Sequence, residues 1–230
     1  MLRILLCAAV CTCFAATGAA PARAPILIEL FTSEGCSSCP PADRLLAELD
    51  PQVIVLGEHV DYWDHQGWRD RFSSHANTLR QEAYARHFGI EGPYTPQMVI
   101  DGATEFNGGD KRRALDEIAH ERGRAQGEIR LARVAAGLEV SVAGVPHSAD
   151  VMVALAQESA ASDIAGGENK GRNLRHVAVL RSLRKIGTAK KGSAFRQTVP
   201  LPADTAGQRI IVFTQEQDLG RVYTATILER

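Results

Sequence analysis

Glu34-Gly35-Cys36-Ser37-Ser38-Cys39-Pro40-Pro41 is the stretch on which the reading of this chain turns. Residues 26–31 before it (ILIELF) are mostly apolar, include β-branched residues and contain no breaker. Residues 42–49 after it place Leu45, Leu46 and Leu49 at helical spacing. A strand that runs into C-x-x-C and then opens a helix is an arrangement for redox chemistry. Unpaired N–H groups and the positive end of the helix dipole favour an anion there, so a thiol at that point ionises more readily than a free one. Pro40 and Pro41 fall in the first turn, where no backbone donor is required. Two intervening residues put the second thiol within disulfide reach of the first.

Other uses of such a pair have their own requirements. A purely structural staple gains from closing a long loop, and this loop is very short. Half of a zinc site needs a second Cys or His pair at ligand spacing, and the chain has no second C-x-x-C.

The flanking sequence sets the context. Residues 1–24 read as an export signal, with Arg3 as the positive end, residues 4–16 as the apolar middle, and small residues at 18–20 or 22–24 for cleavage. That apolar run is too short to span a membrane, so no stable insertion is expected after processing. Three of the five cysteines, Cys7, Cys11 and Cys13, lie inside it, which leaves Cys36 and Cys39 in the mature chain. The expected location is periplasmic or secreted. There, an isolated C-x-x-C has little use besides disulfide chemistry. The rest of the composition is that of an ordinary globule: 45% hydrophobic, 23% charged, net charge −1. That balance offers no basic footprint for nucleic acid. The cluster Arg181, Arg184, Lys185, Lys190 and Lys191 reads as a solvated face.

Along the chain, residues 53–60 read as a buried parallel strand linked to the first through a helix, a βαβ unit. The aromatic and polar stretch 61–68 (DYWDHQGW) follows at that strand's carboxyl end, beside the cysteines. Residues 73–88 predict a helix capped by Ser73 or Ser74 and ended by Gly89, with Leu79, Ala83 and Phe88 as its apolar stripe. Two short strands on either side of Asp101-Gly102 and a helix capped by Asp110 follow. From Gly127 the pattern changes to alternation, predicting seven strands, at 128–134, 137–142, 150–157, 175–183, 194–199, 208–214 and 222–228. The expected organisation is therefore a signal segment at 1–24, an α/β domain at 25–125 and a smaller all-β, sandwich-like module at 126–230, hinged near Gly123–Gly127.

Residues 26–124 resemble a thioredoxin-like domain, with Cys36 and Cys39 matching the active-site pair and Thr95-Pro96 matching the cis-proline turn. LFTSEGCSSCPPAD (30–43), HVDYWD (59–64), GW (67–68), YTPQMVIDG (94–102) and GENKGRNLRHVAVLR (167–181) resemble a family of exported bacterial proteins of unassigned function with that fold. The resemblance implies Cys36 as the exposed nucleophile and Cys39 as the resolving thiol. It also implies a cis peptide at Pro96 that holds Thr95 against the sulfurs. Redox potentials within the fold run from about −270 to about −120 mV, covering reductants and oxidants alike. One departure is Gly35, which stands where thioredoxin carries an aromatic residue. The buried acid that assists thioredoxin's second cysteine has no evident match, with Glu29 and Glu34 the candidates.

Trp63, His65 and Trp68 are candidates to shape a substrate groove or supply a ligand, and His59, inside a strand, reads as a hydrogen-bonded core or edge histidine. The polar run 168–173 reads as a solvated loop; Arg172 and His176 would reach the cysteines only if the β module packed over them. Three functions follow from the residues. The first is a thiol–disulfide oxidoreductase acting on protein or small-molecule thiols and disulfides, with no cofactor and no resident metal. The second is a copper-handling protein in which thiolates and His59 or His65 bind Cu(I). The third is a binding module whose disulfide stays closed.

Overall fold

The computed structural model describes residues 24–228 apart from Gln66 and Ala203, so the export segment expected at 1–24 falls, but for Ala24, outside the described residues. The chain opens with β1 (Ala24–Thr32), α1 (Pro40–Leu49) and β2 (Val53–His59), and β1 and β2 pair in parallel. Next come α2 (His75–Phe88), β3 (Gln97–Ile100), β4 (Thr104–Asn107) and α3 (Lys111–Glu121). Ser74 caps α2 by accepting from the Ala76 amide, Gly89 ends it in the left-handed region, and Asp110 caps α3 through the Arg113 amide.

Seven further strands follow: β5 (Glu128–Val134), β6 (Gly137–Ala143), β7 (Ala149–Asp163), β8 (Asn173–Ala189), β9 (Phe195–Val199), β10 (Gln208–Glu216) and β11 (Val222–Ile227). They lie close to where alternation places them. What they build is different from the expected architecture. An α/β thioredoxin-like domain followed by a separate, smaller β sandwich is not what forms. Among the described residues, strand outnumbers helix by 44% to 19%. One eight-stranded mixed sheet, in the order β11-β10-β7-β8-β2-β1-β3-β4, runs through both halves of the chain.

The joint is the β2–β8 contact, a parallel pairing of Gly57 with Val179. A side chain at position 57 would sit 3.2 Å from the Val177 carbonyl oxygen, so glycine permits the close approach. Every residue of β2 is buried, as befits a strand with neighbours on both edges. The main core crosses the expected boundary too. Leu30, Leu46, Leu49 and Leu56 pack in one cluster with Ala178, Leu180, Ile211, Phe213 and Val222. Only β5, β6 and β9 form a sheet of their own, and a second core, including Val140, Val142, Val151 and Val212, lies between it and the outer part of the large sheet.

Helix α2 departs from its expected stripe. Leu79 is exposed, and the buried face is Asn77, Thr78, Gln81, Tyr84 and Ala85. That polar face is satisfied from the sheet beneath it. The Arg80 Nε–H donates to Glu29 (2.6 Å), the Tyr84 hydroxyl donates to the same carboxylate (2.5 Å), and Gln81 donates to Gln97 (2.9 Å).

Candidate functional site at the Cys36–Cys39 disulfide

Register brings the candidate residues together. Thr32, the last residue of β1, pairs with His59, the last of β2, while Phe31 pairs with Gln97, the first of β3. The segments after β1 and β2 and the one before β3 therefore meet at one end of the sheet. Cys36 and Cys39 are joined there as a disulfide with Cα atoms 5.4 Å apart, and Cys39 is the N-cap of α1, with both prolines in the first turn.

The Thr95–Pro96 peptide is cis, and Pro96 is buried. Trp63 ties this turn to the cysteine loop. Its indole N–H donates to Thr95 Oγ1 (2.8 Å), and its Cβ would lie 3.1 Å from a side chain added at Gly35. The position that lacks an aromatic residue is thus packed by one from another loop. His65 stands exposed on the turn after Trp63 and hydrogen-bonds to none of these residues. His59 is buried with Nδ1 2.6 Å from Asp70, so one ring nitrogen is already committed. No group of three or more His, Cys, Asp or Glu side chains among the described residues is arranged to hold a metal ion.

Two expectations need correcting. Cys36 is not exposed: both cysteines are at 0% relative exposure. The second concerns the polar run 168–173: Glu168, Lys170, Gly171, Arg172 and Asn173 are exposed, as a solvated loop requires, but Asn169 is buried and lies against the disulfide segment. Asn169, also fully buried, donates from its amide nitrogen to the Glu34 and Cys36 carbonyls, both at 2.8 Å. The Arg172 guanidinium donates to Asn169 Oδ1 (2.9 Å), which holds the amide in place. The Ser37 amide donates to a Glu168 carboxylate oxygen (3.2 Å), so an anion already faces the open end of α1. Gly166 packs so close to Gly67 that an added Cβ would fall 2.2 Å from the Gly67 carbonyl oxygen. Asn169 and Glu168 were missed because their partners are more than 130 residues away in the chain, and no local pattern marks such a contact.

Beneath the cover is a buried charged cluster. His176 on β8 lies 3.5 Å from Glu34 and 3.8 Å from Asp43, and its ring meets that of His59 edge-on at 4.6 Å. Burial opposes charge on His176, but Asp43 and Glu34 outweigh it and raise its pKa to about 9. Burial likewise works to raise Glu34, yet His176, Ser162 and the Trp68 indole hold it below the usual carboxylate range. For Asp70, interaction with His59 and two backbone amides overcomes burial in the same direction. At neutral pH the arrangement holds an imidazolium between two carboxylates, with Glu34 two residues from the first cysteine.

Comparison with known proteins places this geometry. A family model described as a protein of unknown function, DUF1223, matches residues 27–215. The chain belongs to this family. A DUF1223 member is therefore what carries the covered disulfide, and the matched range extends from β1 into β10, across both halves of the large sheet. An X-ray crystal structure of an Agrobacterium tumefaciens protein is similar over 90% of this chain and 94% of its own, with 27% identity and a TM-score of 0.75. HBP35 of Porphyromonas gingivalis is similar over 91% of this chain and 76% of its own, at 13% identity and a TM-score of 0.56, a likeness of fold alone. No curated protein matches this DUF1223 chain.

Proposed function

We propose that this protein is an exported thiol–disulfide oxidoreductase whose Cys36–Cys39 pair works beneath a cover formed by residues 164–172. The observation that carries the reading is a C-x-x-C disulfide at the amino end of α1, beside a cis-proline turn to which Trp63 links it. In the oxidising direction, a substrate thiolate attacks Cys36 Sγ once the cover lifts. The Cys36–Cys39 bond breaks, a mixed disulfide forms and Cys39 leaves as the thiolate. A second substrate thiolate then attacks the substrate sulfur and releases Cys36. Two substrate thiols become one disulfide, two electrons pass to the pair, and the reverse sequence reduces a substrate disulfide. Export rests on the charge and apolarity of residues 1–24.

The test is turnover of a scrambled or reduced disulfide substrate by the mature chain in a glutathione buffer. Wild type should accelerate exchange, and Cys36→Ala should abolish the acceleration. Equal rates for the two proteins would overturn the proposal.

The complete burial of both cysteines favours a second reading, a binding protein whose disulfide stays closed. On that reading dithiothreitol reduces the pair only when the protein unfolds, and reduction tracks unfolding across a denaturant series. On the first, reduction proceeds under native conditions.

A further inference from the structure

A cavity of about 760 Å³ opens between α1 and the β7–β8 hairpin, lined in part by Arg44 and Ala47 of α1, Ala160 of β7, and Arg175 and His176 of β8. Arg71 lines it as well. That volume suits a small organic ligand. Its charge is one-sided in a chain whose net charge is −1. Three arginines line it, and its acidic residue, Glu48, already accepts from Lys111 Nζ at 2.5 Å. Arg71 is held in place by donating to the Ala161 carbonyl (2.5 Å) and by lying over the Phe72 ring at 4.7 Å.

Arg44 on α1 and Arg175 on β8 are exposed, and no carboxylate pairs with either among the described residues. The rest of the lining is mostly small and apolar, from Ala47, Ala160, Ala161 and Val177, with Ser159 and Gln157 as its neutral polar residues. At the inner end is His176, only 4% exposed, whose ring nitrogens make no hydrogen bond and meet carboxylates only at 3.5 and 3.8 Å. Guanidinium forks select planar or tetrahedral oxyanions, and the apolar part of the lining selects a hydrocarbon body.

We propose that this cleft is a binding site for a small organic anion, a carboxylate or phosphate carried on an apolar body, held by Arg44, Arg71 and Arg175. The site goes beyond the disulfide chemistry and does not depend on it. The cysteines do not line the cleft, and His176 is the side chain that the cleft shares with the buried cluster.

The experiment is a calorimetric titration of the mature, disulfide-intact chain with decanoate and with phenyl phosphate, using decanol as the uncharged control. At least one of the two anions should bind with one-to-one stoichiometry, and decanol should bind at least tenfold more weakly. The double variant Arg44→Gln/Arg175→Gln should lose at least tenfold in affinity. Ala47→Trp, on the exposed face of α1, should block the cleft by bulk with both arginines intact. Arg86→Gln, on α2, should bind as wild type does. A chain that binds neither anion, binds decanol equally well, or retains wild-type affinity in both cleft variants contradicts the site. Whether decanoate or phenyl phosphate binds tighter identifies the head group. Failure here leaves the turnover assay with Cys36→Ala untouched, and the reverse holds.

Discussion

Asn169 is the buried residue that joins the 164–172 loop to the disulfide segment. Its side-chain amide spans the Glu34 and Cys36 carbonyls, and Arg172 fixes its oxygen. Buried hydrogen bonds of this kind contribute about 1 kcal/mol each. Asn169→Ala should therefore raise the population of uncovered disulfide. The rate of reduction by dithiothreitol under native conditions should increase about tenfold or more, followed by thiol labelling and mass spectrometry. An unchanged rate would mean that the cover does not limit access. His176 is the other decisive residue at this scale. Its pKa of about 9 in the fold lies above the ordinary 6.5, so the folded state holds the proton more tightly. The stabilisation is complete below pH 6.5, declines as pH rises and is gone above about 9. At full value it is about 3 kcal/mol. Between pH 6.5 and 9 the wild-type melting temperature should fall more steeply than that of His176→Gln, as read by circular dichroism. Parallel curves would remove the charged histidine from the cluster.

At the level of elements, α2 shows how a helix can be held by polar rather than apolar burial. Arg80 is buried against Glu29 and within 3.7 Å of Glu58. Burial and the neighbouring Glu29 push Glu58 well above its usual range, against the pull of Arg80. Removing the cation leaves the buried Glu29 carboxylate without its ion-pair partner, so Arg80→Ala should destabilise the chain by about 3–5 kcal/mol in urea unfolding. A loss below 1 kcal/mol would show that the network contributes little. The apolar-stripe reading of α2 fails for this reason: Gln81, Asn77 and Thr78 look like surface residues until the partners of Gln81 and Asn77 on the sheet are known. Elsewhere strand alternation, the Ser74 and Asp110 caps and the strand–CxxC–helix order are local signals, and the corresponding elements lie close to their expected positions. The β7–β8 hairpin is different. Residues 177–180 form an apolar run, which marks an interior strand, but nothing in the run names β2 as the neighbour. The placement of Asn169 and His176 follows from that one pairing, which is why most of the cover was illegible while Cys36, Cys39 and Pro96 were not.

For the molecule as a whole, the shared sheet and core make the two halves of the chain interdependent. Cutting after residue 125 would expose the edge of β2 and strip Ala178, Leu180, Ile211 and Phe213 from the main core. A fragment of residues 24–125 should be unfolded or aggregated by circular dichroism and size exclusion, and the full mature chain should unfold in one cooperative transition. A well-folded fragment would contradict the interdependence of the two halves through the shared sheet. The same continuity gives the cover its logic. A loop anchored on two long strands of the sheet is hydrogen-bonded to the disulfide segment at the end of that sheet, so on the proposed reading access to the sulfurs is a property of the whole fold. The most direct test of this account is to equilibrate the native mature chain across a series of glutathione redox buffers and trap the thiols by alkylation. The account predicts a reversible two-electron titration with a defined midpoint and a trappable mixed disulfide on Cys36. A pair that stays fully oxidised in reduced glutathione until the protein unfolds would contradict it.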